Sequence, residues 1–289
     1  MKKTLSPIPS RFGKEYKPLV LHLTVYSTYQ LTKKYLGYYL TASNSRGHGM
    51  HSPFVFDFIL NVLQNGKNYQ PPENIQALRK ELLKNETLLE RKDLGAGSRQ
   101  GIKVQTVAQL ARLSLKQEKY ARLLYRLVKH YQPSNIIELG TSLGITTCYL
   151  SKANEQARVM TVEGDPSVAP IARENFQKLN CSNIDLFEGN FDDLLPHLLS
   201  MLSSPLGVAF IDGNHRYEPT VRYFAELLYA SNEYSILVFD DIYWSAEMEA
   251  AWEEIKNHPS VRYTIDIFFL GFVFFRKDFK VRQNFQIRF

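Results

Sequence analysis

The sequence predicts an α/β fold with a doubly wound, mostly parallel sheet, preceded by a mainly helical extension. Three observations predict it. Short apolar runs end in acids at Asn135–Glu138, Arg158–Glu163, Val208–Asp212 and Ser235–Asp241. Each run is followed by a segment with helical character, the strand–helix alternation of a parallel sheet. The first run, NIIELGTSLG, also passes through a glycine-bounded turn straight into a helical segment, ITTCYLSKA.

Composition supports a sizeable core and limits the function classes. The chain has 289 residues, 44% apolar and 13% aromatic, enough for one large domain or a domain plus an extension. Its net charge of +6 is spread along the chain, with no block of five or six like charges. A basic surface is therefore preferred over a nucleic-acid groove. Cys148 and Cys181 are the only cysteines and form no C-x-x-C pair, so neither a disulfide framework nor structural zinc is expected. The start, MKKTLSPIPSRFGKEYK, lacks the apolar run of a signal peptide. His22, Gln30, Lys33 and Lys34 interrupt the apolar stretch Leu19–Leu40, which predicts an amphipathic helix and no transmembrane segment. A cytoplasmic location is the expectation.

Residues 1–113 read as the extension, a lid over the substrate or an interaction region, and 114–289 as the main domain. In the extension a helix is expected over Leu19–Leu40. A second starts with Ser52 as cap and Pro53 at the first helical position, and a third covers Glu73–Glu90. His48 and His51 precede the Ser52 cap in a glycine-containing loop, better suited to folding over a site than to binding metal. Asp93–Ser98, DLGAGS, mimics a cofactor turn, but no second strand ending in an acid follows it. It reads as a turn or helix cap. Ser114 with Gln117 reads as a capping box opening the main domain's first helix.

The turn after Asn135 is the centre of the reading. Gly140 and Gly144 let backbone approach a ligand closely. A dinucleotide turn wants G-x-G-x-x-G; here Ser142 stands where the middle glycine would be. Glu138 would repel a pyrophosphate but help hold an ammonium group, so the turn suits a cationic ligand such as S-adenosylmethionine. Glu163, ending the second strand roughly 25 residues later, is placed to accept from ribose hydroxyls. Asp165 and Pro166 are expected to start the next helix. Asp192, past the third strand, either meets the adenine amino group or serves as a helix N-terminal acid.

From about Ser114 to Arg276 the chain resembles the class I S-adenosylmethionine-dependent methyltransferases, the catechol-type and macrolide-sugar O-methyltransferase branches in particular. The first motif, VEGDP and FIDGNHRYEPT carry the resemblance. It implies a seven-stranded Rossmann-like sheet completed by an antiparallel terminal hairpin, which VRYTIDIFFLGFVFFR supplies around Leu270-Gly271. The last residues, NFQIRF, either add an edge strand or pack on a partner, which admits a homodimer.

Asp212, Asp240 and Asp241 end strands expected to lie side by side. Three close carboxylates repel unless a cation neutralises them, and oxygen ligands favour magnesium. The alternative has Asp212 on the cofactor and Asp240 and Asp241 capping a helix. Metal-dependent O-methyltransferases resemble the first arrangement, in which Mg2+ holds the acceptor oxygens. His215 stands where the catechol branch has a lysine that removes the acceptor proton; histidine suits that task, and a loop hydrogen-bonding role is its alternative. The expected reaction is in-line methyl transfer to a small-molecule hydroxyl, with Asp212 and His215 at the reacting centre. A metal-free methyltransferase acting on nitrogen or a macromolecule, a cofactor-binding protein without turnover, and a dinucleotide oxidoreductase are the alternatives.

Overall fold

The computed structural model describes residues 25–43, 52–92 and 102–289. The His48/His51 loop, the DLGAGS turn and the first residues of the chain lie outside the described residues.

The extension is not only helical. Helix α1 (Thr28–Thr41) starts later than the apolar pattern suggested, at a capping box in which Ser27 and Gln30 satisfy each other's backbone amides. Helix α2 (Pro53–Phe58) has the expected Ser52 cap and continues as a π-helical turn to Leu63. Helix α3 (Glu73–Leu82) stops well short of Glu90. Residues placed in its last turns instead form strand β1 (Leu88–Lys92), paired antiparallel with β2 (Ile102–Thr106). The run NETLLERK offers no apolar face at helical spacing, and this hairpin leaves Leu88 and Val104 exposed. Helix α4 (Val107–Ser114) follows directly from a Thr106–Gln109 capping box.

Ser114 therefore ends a helix where a start was expected; its hydroxyl bonds back to the Leu110 carbonyl. Helix α5 (Glu118–Tyr131) begins after Gln117 with no side-chain cap. Strand β3 (Asn135–Leu139), α6 (Ile145–Ala153), β4 (Arg158–Glu163), α7 (Ala169–Lys178), β5 (Ile184–Glu188), α8 (Phe191–Ser200), β6 (Leu206–Ile211), α9 (Tyr217–Ala230) and β7 (Ser231–Asp240) then alternate. Helix α7 starts at Ala169, not at Asp165, because the Asp165 carboxylate closes a local turn by accepting from the Ser167 amide and hydroxyl. Helix α10 (Ala246–Asn257), β8 (Tyr263–Asp266), β9 (Leu270–Phe274) and β10 (Gln283–Gln286) complete the chain.

The large sheet has eight strands in the order β10-β8-β9-β7-β6-β3-β4-β5. Seven of them, β3 to β9, make the expected sheet, in which β9 runs antiparallel to both neighbours. NFQIRF supplies the eighth, pairing parallel to β8. The hairpin turn lies at residues 267–269, not at Leu270-Gly271. The Asp266 carboxylate accepts the Phe268 amide there, and Gly271 sits within β9 where the Trp252 ring leaves no room for a β-carbon.

Strand residues alternate between two cores, as a period of two dictates. Ile136, Val208, Phe210 and Val238 face the side covered by α2, α3, α5, α6 and α7. Ile137, Ala209, Ile211 and Leu237 face α8, α9 and α10. The extension joins the first core through Val55, Phe58, Ile75 and Leu78. At the far edge, the buried Tyr38 hydroxyl of α1 donates to the carbonyls of Asp266 and Ile287. The chain leaves β3 outward through β4 and β5, then returns to place β6 on the other side of β3. That reversal opens a crevice at the carboxyl ends of β3 and β6, where ligands bind in open α/β sheets. Among the described residues no helix is long and apolar enough to cross a membrane.

Candidate active site

A cleft of about 870 Å³ opens at this switch point. Its floor is the turn between β3 and α6. Gly140 has φ 109°, and a β-carbon there would collide with the Asp212 carbonyl, so only glycine lets the turn lie against the end of β6. Ser142, also in the left-handed region at φ 48°, donates its amide to Glu163 Oε2 at 2.6 Å. The Asp165 amide donates to the other oxygen, Oε1, at 2.9 Å. Burial raises the Glu163 pKa against these two hydrogen bonds.

Glu138 lies beneath the turn and does not line the cleft. It is fully buried, and its Oε2 accepts from Thr147 Oγ1 at 2.5 Å and Thr161 Oγ1 at 2.7 Å. Oε1 has no hydrogen-bond partner among the described residues. Burial pushes this carboxyl up to about 8. The direct ligand contact expected of it from sequence is thus replaced by a supporting position under the glycine turn.

Asp192, in the first turn of α8, lines the cleft. Its Oδ1 accepts from Tyr223 Oη at 2.6 Å and pairs with Arg222 Nη2 at 2.9 Å. Gly144 (φ 76°) caps α6, where the Phe176 ring excludes any side chain.

At the outer end, Asp212 from β6 meets Asp240 from β7. Between them lies a residue that sequence reasoning missed. Lys116, in the link from α4 to α5, pairs through Nζ with Asp240 Oδ2 and with Asp212 Oδ2 at 3.4 Å. Arg79 Nη1 fixes that link by donating to the Lys116 carbonyl at 2.7 Å. Burial opposes the Lys116 charge, but Asp212, Asp240 and Asp241 outweigh it and raise its pKa. Burial also opposes the Asp212 charge, yet Lys116 and the hydrogen bond with Asp240 hold Asp212 low. Asp240 is pushed well up by burial and by the neighbouring Asp212 charge. His215 Nε2 stands 3.8 Å from Asp212 Oδ1.

Residues 137–242 match a family model described as a methyltransferase domain. A catechol O-methyltransferase of Niastella koreensis is 31% identical over 152 residues, which is 52% of this chain and 65% of that protein. The chain spans 56–65% of the length of its curated relatives. An O-methyltransferase from Bacillus cereus, in complex with SAH, superposes with TM-score 0.52 at 19% identity, over 74% of this chain and 96% of that one. The SAH-bound Podospora anserina methyltransferase PaMTH1 gives TM-score 0.56 at 13% identity, over 78% and 97%. Residues 137–242 thus resemble a methyltransferase domain, on a fold shared with these solved structures.

Within this region, the expected metal set is not the set that the fold assembles. Asp212, His215 and Asp240 each offer a ligand atom within 4.8 Å of the others; Asp241 is outside this group. Its backbone takes φ 52° and its amide donates to the Phe269 carbonyl at 2.8 Å. Two carboxylates could hold magnesium together with water, but the ammonium between them and the imidazole beside them do not suit that ion.

The extension also supplies a wall that the sequence reading did not specify. Arg91 of β1 reaches the cleft and pairs with the buried Asp165 carboxylate at 2.8 Å. No spacing in the sequence marks either Arg91 or Lys116, because both act across elements distant in the chain. Ser114 could have been suspected only from its place before α5; its hydroxyl accepts from Ser142 Oγ at 2.8 Å and ties the link to the turn.

Proposed function

We propose that the cleft binds S-adenosylmethionine and that the protein transfers its methyl group to a hydroxyl oxygen of a small molecule. One observation carries the choice of ligand. The Ser142 amide, which in a phosphate-binding turn would face the ligand, is taken by the Glu163 carboxylate at 2.6 Å. The same carboxylate that occupies the amide would also repel a pyrophosphate. The methyltransferase-domain match and the catechol O-methyltransferase relative support the same reading.

The residues present fit this cofactor. Glu163, at the end of β4, is placed to accept from ribose hydroxyls. Asp192 lies on the adenine side, with its orientation set by Arg222 and Tyr223. Gly140 lets the turn lie against the end of β6, and that turn is the floor on which the methionine part would rest. S-adenosylmethionine supplies a methyl group activated by a positively charged sulfur. The protein's share is to hold the acceptor oxygen in line with that group and to take its proton. His215, beside Asp212 and lining the cleft, is the group placed to receive it. Tyr120, Trp244 and Phe269 give the outer cleft an aromatic wall for the acceptor. The described part of the extension contributes Arg91 of β1, Gln105 of β2 and Leu110 and Leu113 of α4, which line one side of the cleft.

Calorimetry with S-adenosylhomocysteine against NADH tests this reading. S-adenosylhomocysteine is expected to bind, and Glu163→Gln to weaken it at least tenfold with the fold intact by circular dichroism. Preference for NADH, or unchanged affinity in Glu163→Gln, contradicts the assignment.

A further inference from the structure

We propose that Lys116 is a built-in cation occupying the place between Asp212 and Asp240 where a metal-dependent relative would hold a divalent ion, so that the acceptor needs only one acidic hydroxyl and no chelating pair. This rests on the methyl-transfer reading above and specifies its acceptor.

Position comes first. The ammonium lies within ion-pair distance of both carboxylates, and the Lys116 side chain is only 13% exposed. The link that carries it is held from three sides. Arg79 bonds its carbonyl, Ser114 bonds the Ser142 turn, and Gln117 leads at once into α5. Lys116 is therefore part of the frame of the site.

Charge comes second. Two adjacent carboxylates call for a cation, and here the chain brings its own. A divalent ion bound to both would stand beside a fixed positive charge in a buried setting, where repulsion is weakly screened. The third carboxylate of the expected metal set, Asp241, lies outside the cluster. Asp240 Oδ1 has no hydrogen-bond partner among the described residues. The only basic side chain on both acids is Lys116 among the described residues.

The acceptor class follows from this chemistry. A metal ion binds two vicinal oxygens and strongly lowers a hydroxyl pKa. An ammonium has three donors and no capacity to chelate; with two directed at the acids, one remains for one acceptor oxygen. A single positive charge lowers the hydroxyl pKa less, which favours phenols over aliphatic sugar hydroxyls. The aromatic wall of Tyr120, Trp244 and Phe269 suits the same planar class. In the reaction the acceptor O–H proton passes to His215 and the O–C bond forms. The S–C bond breaks, and its electron pair stays on sulfur to give the neutral thioether. Lys116 stabilises the oxygen's developing negative charge without changing its own protonation state.

The test uses the full chain after dialysis against EDTA. Manganese binding is followed by loss of the free-ion electron paramagnetic resonance signal, and S-adenosylhomocysteine binding by calorimetry. Turnover is measured on a monophenol and on the matching catechol. Wild type is expected to leave equimolar manganese free, to keep its turnover in EDTA within twofold, and to methylate the monophenol as well as the catechol within tenfold. Lys116→Met, which removes the positive charge between the acids while keeping the length of the side chain, is expected to bind manganese at least tenfold more tightly than wild type and to lose turnover at least 100-fold. Stoichiometric manganese binding by wild type, or abolition of its turnover by EDTA, overturns the proposal even if Lys116→Met does not fold. Strict preference for the catechol overturns the single-hydroxyl part. Failure of wild type to bind S-adenosylhomocysteine would instead sink the methyl-transfer reading, while the manganese measurement still decides the place of Lys116.

Discussion

Replacing Glu138 by glutamine tests the ground beneath the glycine turn. The carboxyl is fully buried, its ordinary pKa of 4.5 rises to about 8, and desolvation is the main cause. The folded state therefore keeps a proton that the unfolded chain loses. Stability from this group is fully present below pH 4.5 and drains away as pH rises to about 8. At about 1.4 kcal/mol per pH unit, that interval caps the loss at roughly 5 kcal/mol, an upper limit because the buried site relaxes. Glutamine keeps the shape, and its carbonyl oxygen can accept from Thr147 and Thr161 as Oε2 does. Its amide nitrogen takes the place of Oε1, which lacks a partner among the described residues, at a pH-independent cost of about 1–3 kcal/mol. Glu138→Gln is thus expected to be the less stable protein at acid pH and to gain steadily on wild type as pH rises. Urea unfolding of both proteins across this range measures the difference directly. A gap between them that stays flat with pH refutes the reasoning, whatever its size.

Other perturbations address the frame of the site. Gly140→Ala combines a left-handed backbone with a collision on the Asp212 carbonyl. It is expected to cost roughly 1–3 kcal/mol from strain alone and to abolish detectable S-adenosylhomocysteine binding in calorimetry. Gly271→Ala puts a β-carbon 2.6 Å from Trp252, so thermal unfolding should show a loss of about 1–3 kcal/mol while cofactor affinity holds. Tyr38→Phe removes the hydroxyl that ties α1 to the carbonyls of Asp266 and Ile287. Hydrogen exchange in residues 28–41 should accelerate, with a loss of about 1 kcal/mol in overall stability. Arg91→Ala leaves the buried Asp165 carboxylate without its charged partner and is expected to weaken S-adenosylhomocysteine binding several-fold, with the main domain still folded.

Several expectations fell short where local sequence signals were overridden. Ser114 looked like a helix start because a serine three residues before a glutamine is a capping pattern. In the fold its hydroxyl serves the Ser142 turn, and α5 starts uncapped. Asp165 and Pro166 had the chemistry of a cap, yet the carboxylate is engaged by Ser167 and Arg91 before any helix begins. The β1–β2 hairpin escaped notice because it is charged and half exposed: its inward-facing pair joins Leu89 to the polar Gln105, so no apolar alternation marks either strand in the sequence.

The sequence by itself determined the large parallel sheet. Short continuous apolar runs between helical segments are strands that must be covered on both faces, and acids at the run ends mark the carboxyl edge. It determined the glycine turn as well, because Gly140 is the one residue type that can lie against the Asp212 carbonyl. Only the tertiary structure decided which charges meet. Glu138 and Glu163 end neighbouring strands, yet one is sealed beneath the turn and the other opens onto the cleft, a difference made by Thr147 and Thr161 below and the Ser142 amide above. Asp240 and Asp241 are adjacent in sequence, but the left-handed backbone at Asp241 separates it from the group that Asp240 joins. Lys116 reaches Asp240 across 124 positions of chain, and no local pattern encodes a contact made by the packing of distant elements.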